Sequence, residues 1–174
     1  MPDFSSEPLP RDRALQRGAE RLRLAVEVLP LRYAPFFGRL SDLWQLPEAR
    51  VVSELARAAN PKSWRRTVLR GVRTFTLERP EASRGQRALL LSLEPGLTFP
   101  QHEHRGAERV LVLEGAYADD AGCVVQAGDE QSMAPGSEHA LHILGDAPCV
   151  AAVSEQGVSF VAPWLRGLFG SWRG

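Results

Sequence analysis

The chain reads as mainly β, an antiparallel sandwich or barrel preceded by a helical N-terminal segment. Three observations lead there. Apolar residues recur at helical spacing through the first 60 residues, and that periodicity stops at Asn60-Pro61. From Thr67 onward, short apolar runs alternate with turn signals such as Glu94-Pro95-Gly96, Asp119-Asp120-Ala121-Gly122 and Ala127-Gly128-Asp129, which is the rhythm of many short strands. Within that region the stretch GLTFPQHEHRGAERVLVLEG, residues 96–115, holds His102 and His104 one residue apart and Glu108 four residues later, with a glycine at each end.

The length of 174 residues suits one domain with a small appendage, and 44% hydrophobic with 24% charged residues is the composition of a soluble globular protein. No apolar run approaches the roughly 20 residues that span a bilayer, so no membrane association is expected. The N-terminal MPDFSSEPLPRDR lacks the charged-then-apolar pattern of a signal peptide, so a cytoplasmic location is expected. Cys123 and Cys149 lie far apart and form no metal-spaced pair, which reads as two reduced thiols. The zero net charge hides an asymmetry. Residues 1–80 carry 15 Lys+Arg against 9 Asp+Glu, and the remainder carries 6 against 12. Lys62 is the only lysine, and an arginine- and alanine-rich chain follows as readily from a GC-rich genome, so no direct nucleic-acid binding is inferred. A basic helical segment docked on an acidic partner, or on the acidic half of its own chain, fits the asymmetry equally well.

Taken in order, residues 1–60 form the helical segment. Residues 1–12 read as a loose tail. Leu15, Leu22, Val26 and Leu29 mark a first helix over 13–29, closed by Pro30. A second starts near Pro35 and gathers Phe36, Phe37, Leu40, Leu43 and Trp44 on one face. A third opens at Pro47, with Val51, Val52, Leu55 and Ala59 as its stripe, and ends at Asn60-Pro61. Three short helices share too little apolar area to stand alone, so they either cap the following domain or form a docking surface for another protein. Strands are expected in TVLRGVRTFTL, RALLLSL, the histidine stretch, 110–113, 116–118, 123–125, 131–133, 139–144, 148–153 and 157–161. The last stretch, PWLRGLFGSWRG over 163–174, puts Trp164, Leu165, Leu168, Phe169 and Trp172 on one helical face, as a core or subunit interface such as a homodimer would require.

Alternate side chains of a strand share a face, so His102 and His104 can present their imidazoles together. Gly106 permits a bend that returns Glu108 to that face from the next strand. Two neutral nitrogens and a carboxylate oxygen at one point make a first-row metal site with further ligands still to be found. Glu103, between the two histidines, and Glu138, directly before His139, fall on the outward side and read as solvated rather than coordinating.

Residues Gly96, His102, His104, Glu108 and Gly115 match G-x5-H-x-H-x3-E-x6-G, the first motif of the cupin family, which the chain therefore resembles. In the second motif, G-x5-P-x-G-x2-H-x3-N, Gly128, Gly136 and His139 keep the spacing, while Ala134 stands at the proline position and Ile143 at the asparagine position. The resemblance covers about 65–162. It implies a small jelly-roll-like cupin β-barrel with His102, His104, Glu108 and His139 at its mouth as ligands to one divalent metal. His142, three residues beyond His139, falls on the opposite face of its strand and reads as a non-ligand. The wording PQHEHRGAERVLVLEGAYADDAGCVVQAGDEQ is similar to the ChrR-like cupin, the C-terminal half of ChrR-type anti-sigma factors. That group implies zinc, although Fe, Mn or Ni suit the same ligands, and it implies an extracytoplasmic-function sigma factor held by the N-terminal helices in a stress response. In that group the N-terminal domain carries its own zinc on a His and an H-x3-C-x2-C motif; residues 1–60 here contain no Cys and no His. Related single-domain cupins imply the alternative, a metal-dependent dioxygenase acting on a small dicarbonyl substrate, with Leu91, Leu93, Phe99, Leu111, Met133 and Leu141 shaping an apolar pocket. The regulatory reading is preferred. A small-molecule ligand at the metal fits either, and no catalytic residue beyond the ligands is assigned.

Overall fold

A computed structural model describes residues 31–78 and 85–160; the helix expected over 13–29 and the amphipathic stretch 163–174 lie outside the described residues. After a single 3-10 turn at Ala34–Phe36 come helix α1 (Phe37–Trp44) and helix α2 (Glu48–Ala58). Gln45 takes a left-handed backbone at φ 53 and ends α1. Pro47 opens α2, and the Asn60 side chain accepts from the Lys62 N–H to start the turn that leaves it.

Eleven strands follow among the described residues. One sheet holds β1 (Arg65–Arg66), β2 (Val72–Thr76), β3 (Arg87–Leu93), β10 (Cys149–Glu155), β5 (Glu108–Glu114) and β8 (Glu130–Met133), in that spatial order. The other holds β11 (Val158–Phe160), β4 (Thr98–His104), β9 (Glu138–Leu144), β6 (Ala116–Asp119) and β7 (Val124–Gln126). Every pairing is antiparallel. The two sheets pack face to face in a cupin-like sandwich and do not close into one hydrogen-bonded barrel.

The central strands β3, β10 and β5 of the six-stranded sheet are buried on both faces, which explains the nearly unbroken apolar runs RALLLSL, ERVLVLE and CVAAVSE. Leu89 and Leu93 of β3, Val110 and Val112 of β5, and Ala151 and Val153 of β10 point inward against the second sheet. Their neighbours Leu90, Leu111, Leu113 and Ala152 point outward and are covered by Leu40, Leu43, Trp44, Val51 and Leu55 of the helices. The apolar stripe of the helices is thus spent on the domain itself. Trp44 donates its Nε1–H to the Val153 carbonyl at 3.2 Å in the buried layer, pinning α1 to β10. Arg57 of α2 pairs with Glu54 and Glu78 and lies over the Phe75 ring, fastening the second helix to β2. Among the described residues no helix is long and apolar enough to cross a membrane.

Helices and sheet therefore unfold together. Replacing Leu55, fully buried on the sheet-facing side of α2, by alanine is expected to lower the unfolding free energy by about 2–5 kcal/mol. In urea, circular dichroism at a helix-sensitive wavelength and tryptophan fluorescence should shift by the same amount in one transition; a change confined to the helical signal contradicts shared packing.

Candidate metal centre

The site is built where β4 and β9 pair. His102 stands directly opposite His139, and the preceding matched pair is Phe99 with Leu141. Two residues of β4, Pro100 and Gln101, therefore face one residue of β9 in a β-bulge. The bulge turns both Phe99 and His102 inward although they are three residues apart, and it aims the Pro100 carbonyl back at His102. At the end of β4, His104 exchanges backbone hydrogen bonds with the 134–137 turn, accepting from Gly136 N–H at 2.8 Å and donating to Ser137 O at 3.0 Å. Gly136 holds φ 77 there, a backbone that side-chain-bearing residues rarely adopt. The bend at Arg105–Gly106 then delivers Glu108 at the start of β5.

All three imidazoles are buried and meet through their Nε2 atoms. His139 Nε2 lies 3.1 Å from that of His102 and 3.1 Å from that of His104. His102 Nδ1 is 2.9 Å from the Pro100 carbonyl, which accepts only if the proton sits on Nδ1, so His102 Nε2 carries a lone pair. The single Nε2 proton that His139 could carry can serve only one of its two neighbours. At least one of the two contacts is then left without a hydrogen bond, which is unfavourable in a dry enclosure unless a cation lies between the nitrogens. Nitrogens bound about 2.1 Å from a shared cation stand about 3.0–3.4 Å apart, and the observed spacing matches. The donor set fits a metal.

Burial pushes His102 down to about 4, despite the hydrogen bond to Pro100. Burial, with His104 beside it, also pushes His139 below its ordinary range. Both rings are therefore neutral at physiological pH, the form that binds metal. Of the four expected donors, the structure gathers His102, His104 and His139 into one cluster that could hold an ion. Glu108 lies beside it, with Oε2 3.5 Å from His104 Nδ1. His142 points away, exposed, with Nδ1 3.2 Å from the Thr98 hydroxyl.

A cavity of about 50 Å³ opens on this cluster, lined by His102, Glu108 and His139 together with Leu91, Leu93, Phe99 and Leu141. Leu111 and Met133 do not line it. Leu111 is an odd number of residues from Glu108, so the alternation of β5 sends it outward under the helices. Two polar groups that sequence reasoning missed also face the cavity. Tyr117 donates to Gln131 Oε1 at 2.6 Å, and burial raises its pKa. Glu155 pairs across strands with Arg87 at 3.3 Å, yet burial raises it to about 7 against that guanidinium.

Residues 52–159 match the family model described as the ChrR cupin-like domain. Among solved structures, the chain is similar to the anti-sigma factor ChrR of Rhodobacter sphaeroides, solved in complex with SigE. The two share 32% identity over 53% of this chain and 47% of that one, with a TM-score of 0.47. The chain thus spans about half the length of that relative. An RmlC-like cupin protein from Ralstonia eutropha matches at 15% identity over 60% of this chain and 71% of its own, with a TM-score of 0.52. An acetylacetone dioxygenase from Acinetobacter johnsonii matches at 13% identity over 65% and 87%, with a TM-score of 0.51. These two likenesses show a common fold. No curated protein matches the chain.

Glu155 gives a pH-dependent stability of known sign. Its folded pKa, about 7, lies above the ordinary 4.5, so its contribution is fully present below pH 4.5 and is lost as the pH rises through 7. Relative to wild type, Glu155→Gln is expected to gain stability steadily between those limits and to hold a constant offset outside them. Denaturant titrations at a series of pH values check this, and a difference that does not vary with pH contradicts it.

Proposed function

Since the chain belongs to the ChrR cupin-like domain family, we propose that it is a metal-binding regulatory protein of the anti-sigma-factor kind, acting in the cytoplasm in a stress response. His102, His104, His139 and Glu108 hold one divalent cation, zinc in this reading. The bound cation supplies Lewis acidity and a fixed positive charge at the cavity. Residues 1–60 provide the contact for an extracytoplasmic-function sigma factor. Because the apolar stripes of α1 and α2 already cover the sheet, that contact uses the outward faces of these helices and the residues before them. The cupin domain, 65–162, is the sensing part.

One observation carries the regulatory reading over a purely catalytic one. Strand β10 has the cavity on one face, through Ala151, Val153 and Glu155, and the helices on the other, through Ala152 and the Val153 carbonyl held by Trp44. A change in the metal shell that shifts β10 changes the bed on which α1 sits, which is how a ligand at one site can bias a partner at another. The alternative, a metal-dependent dioxygenase for a small dicarbonyl compound, draws on the apolar lining beside the histidines. Oxygen uptake by iron-loaded protein on adding a β-diketone is its signature.

His104→Ala is expected to abolish tight binding of zinc, because losing one ligand removes a bond and the fixed geometry of the rest. In the same experiment, immobilised wild-type chain retains candidate sigma factors and His104→Ala retains them differently. Unchanged zinc affinity in the variant contradicts the ligand assignment. Failure to retain any sigma factor, with or without zinc, contradicts the partner assignment and leaves the metal centre standing.

A further inference from the structure

Four arginines stand apart from the rest. Every other described arginine, from Arg32 on Glu114 to Arg109 on Asp42 and Glu130, is tied to a carboxylate or a hydroxyl. Arg65, Arg66, Arg70 and Arg73 are exposed, and among the described residues their side chains make no ion pair. All four lie on the β1–β2 hairpin. Arg66 is paired directly opposite Arg73, where like charges repel and cost stability. The hairpin is well built: the Thr67 hydroxyl bonds the Leu69 N–H and carbonyl, and Glu94 N–H bonds the Gly71 carbonyl. The guanidiniums are therefore presented on a fixed scaffold. Arg66, Arg70 and Arg73 surround one open hollow of about 490 Å³ that also takes in Val68, Leu69 and Glu94.

We infer that this hairpin is a docking site for an acidic segment of a partner protein, distinct from the metal centre and from the helical contact proposed above. The charge is complementary to carboxylates, which arginine grips in a bidentate fork. The hollow is not purely electrostatic. Val68 is 61% exposed at its rim, so the occupant offers an apolar side chain as well as acids, as a peptide does and a phosphodiester chain does not. Glu94 in the lining disfavours a dense polyanion, and the footprint is a single hollow, unlike the long basic track that tracks a nucleic-acid backbone. Among the described residues strand β1 ends its sheet, which leaves its outer edge to pair with an extended chain.

The test is fluorescence anisotropy of the full chain with three labelled probes of equal length: a peptide alternating Glu and Leu, the same peptide with Gln for Glu, and oligothymidylate. The acidic peptide is expected to bind best, and more weakly as salt is raised. The combined change Arg66→Glu, Arg70→Glu, Arg73→Glu should weaken it about ten-fold or more with the thermal midpoint unchanged, because the three side chains are exposed. The milder pair Arg70→Gln, Arg73→Gln, which introduces no repulsion into the hairpin, should lie between. Equal binding by wild type and variants, tighter binding of oligothymidylate than of the acidic peptide, or no binding of the peptide at about 1 mM would each overturn the inference.

Discussion

Three buried imidazoles meet through their Nε2 atoms, that of His139 lying 3.1 Å from each of the other two, an arrangement that crowded lone pairs oppose. The protein maintains it by backbone architecture. The bulge at Pro100-Gln101 aims His102 inward, the carbonyl of Pro100 fixes its tautomer, and the β4–β9 register sets His139 across from it. His104 is held by a pair of backbone hydrogen bonds to the 134–137 turn. Burial lowers the proton affinity of His102 and His139, so the lone pairs stay available. A cation at the meeting point turns this repulsion into attraction, and the surrounding fold makes physical sense as the frame for that ion.

The same frame reaches the helices through the six-stranded sheet. Because side chains alternate, one strand serves two environments, and β10 is the clearest case. Val153 lines the cavity with its side chain while its carbonyl accepts from Trp44. Such a two-faced sheet has no loose layer to absorb a displacement, since packed interiors repack in discrete steps. That property is what the regulatory reading proposed above requires.

Much of this was legible in the sequence. The break at Asn60, the strand rhythm and the fold class needed only periodicity and turn chemistry, and the spacing of His102, His104 and His139 pointed to residues that the fold does bring together. What escaped depended on register. Period-two reasoning puts Phe99 and His102 on opposite faces; the bulge that unites them was signalled only by a proline inside a strand. The alternation that places Glu108 inward already excludes Leu111 from the pocket, and applying it strictly would have done so. Glu155 could not be found in advance, because its burial depends on which strand lies beside β10. The stripe of Leu40, Leu43 and Trp44 was plain, but what covers it is a tertiary fact.

The central claim is that the histidine cluster is a divalent metal centre. Elemental analysis of the protein purified without added metal addresses it most directly. About one equivalent of a divalent transition metal per chain, with zinc predominant, is the result this account predicts. Protein that carries no such metal, and takes up none when dialysed against micromolar zinc, would contradict it.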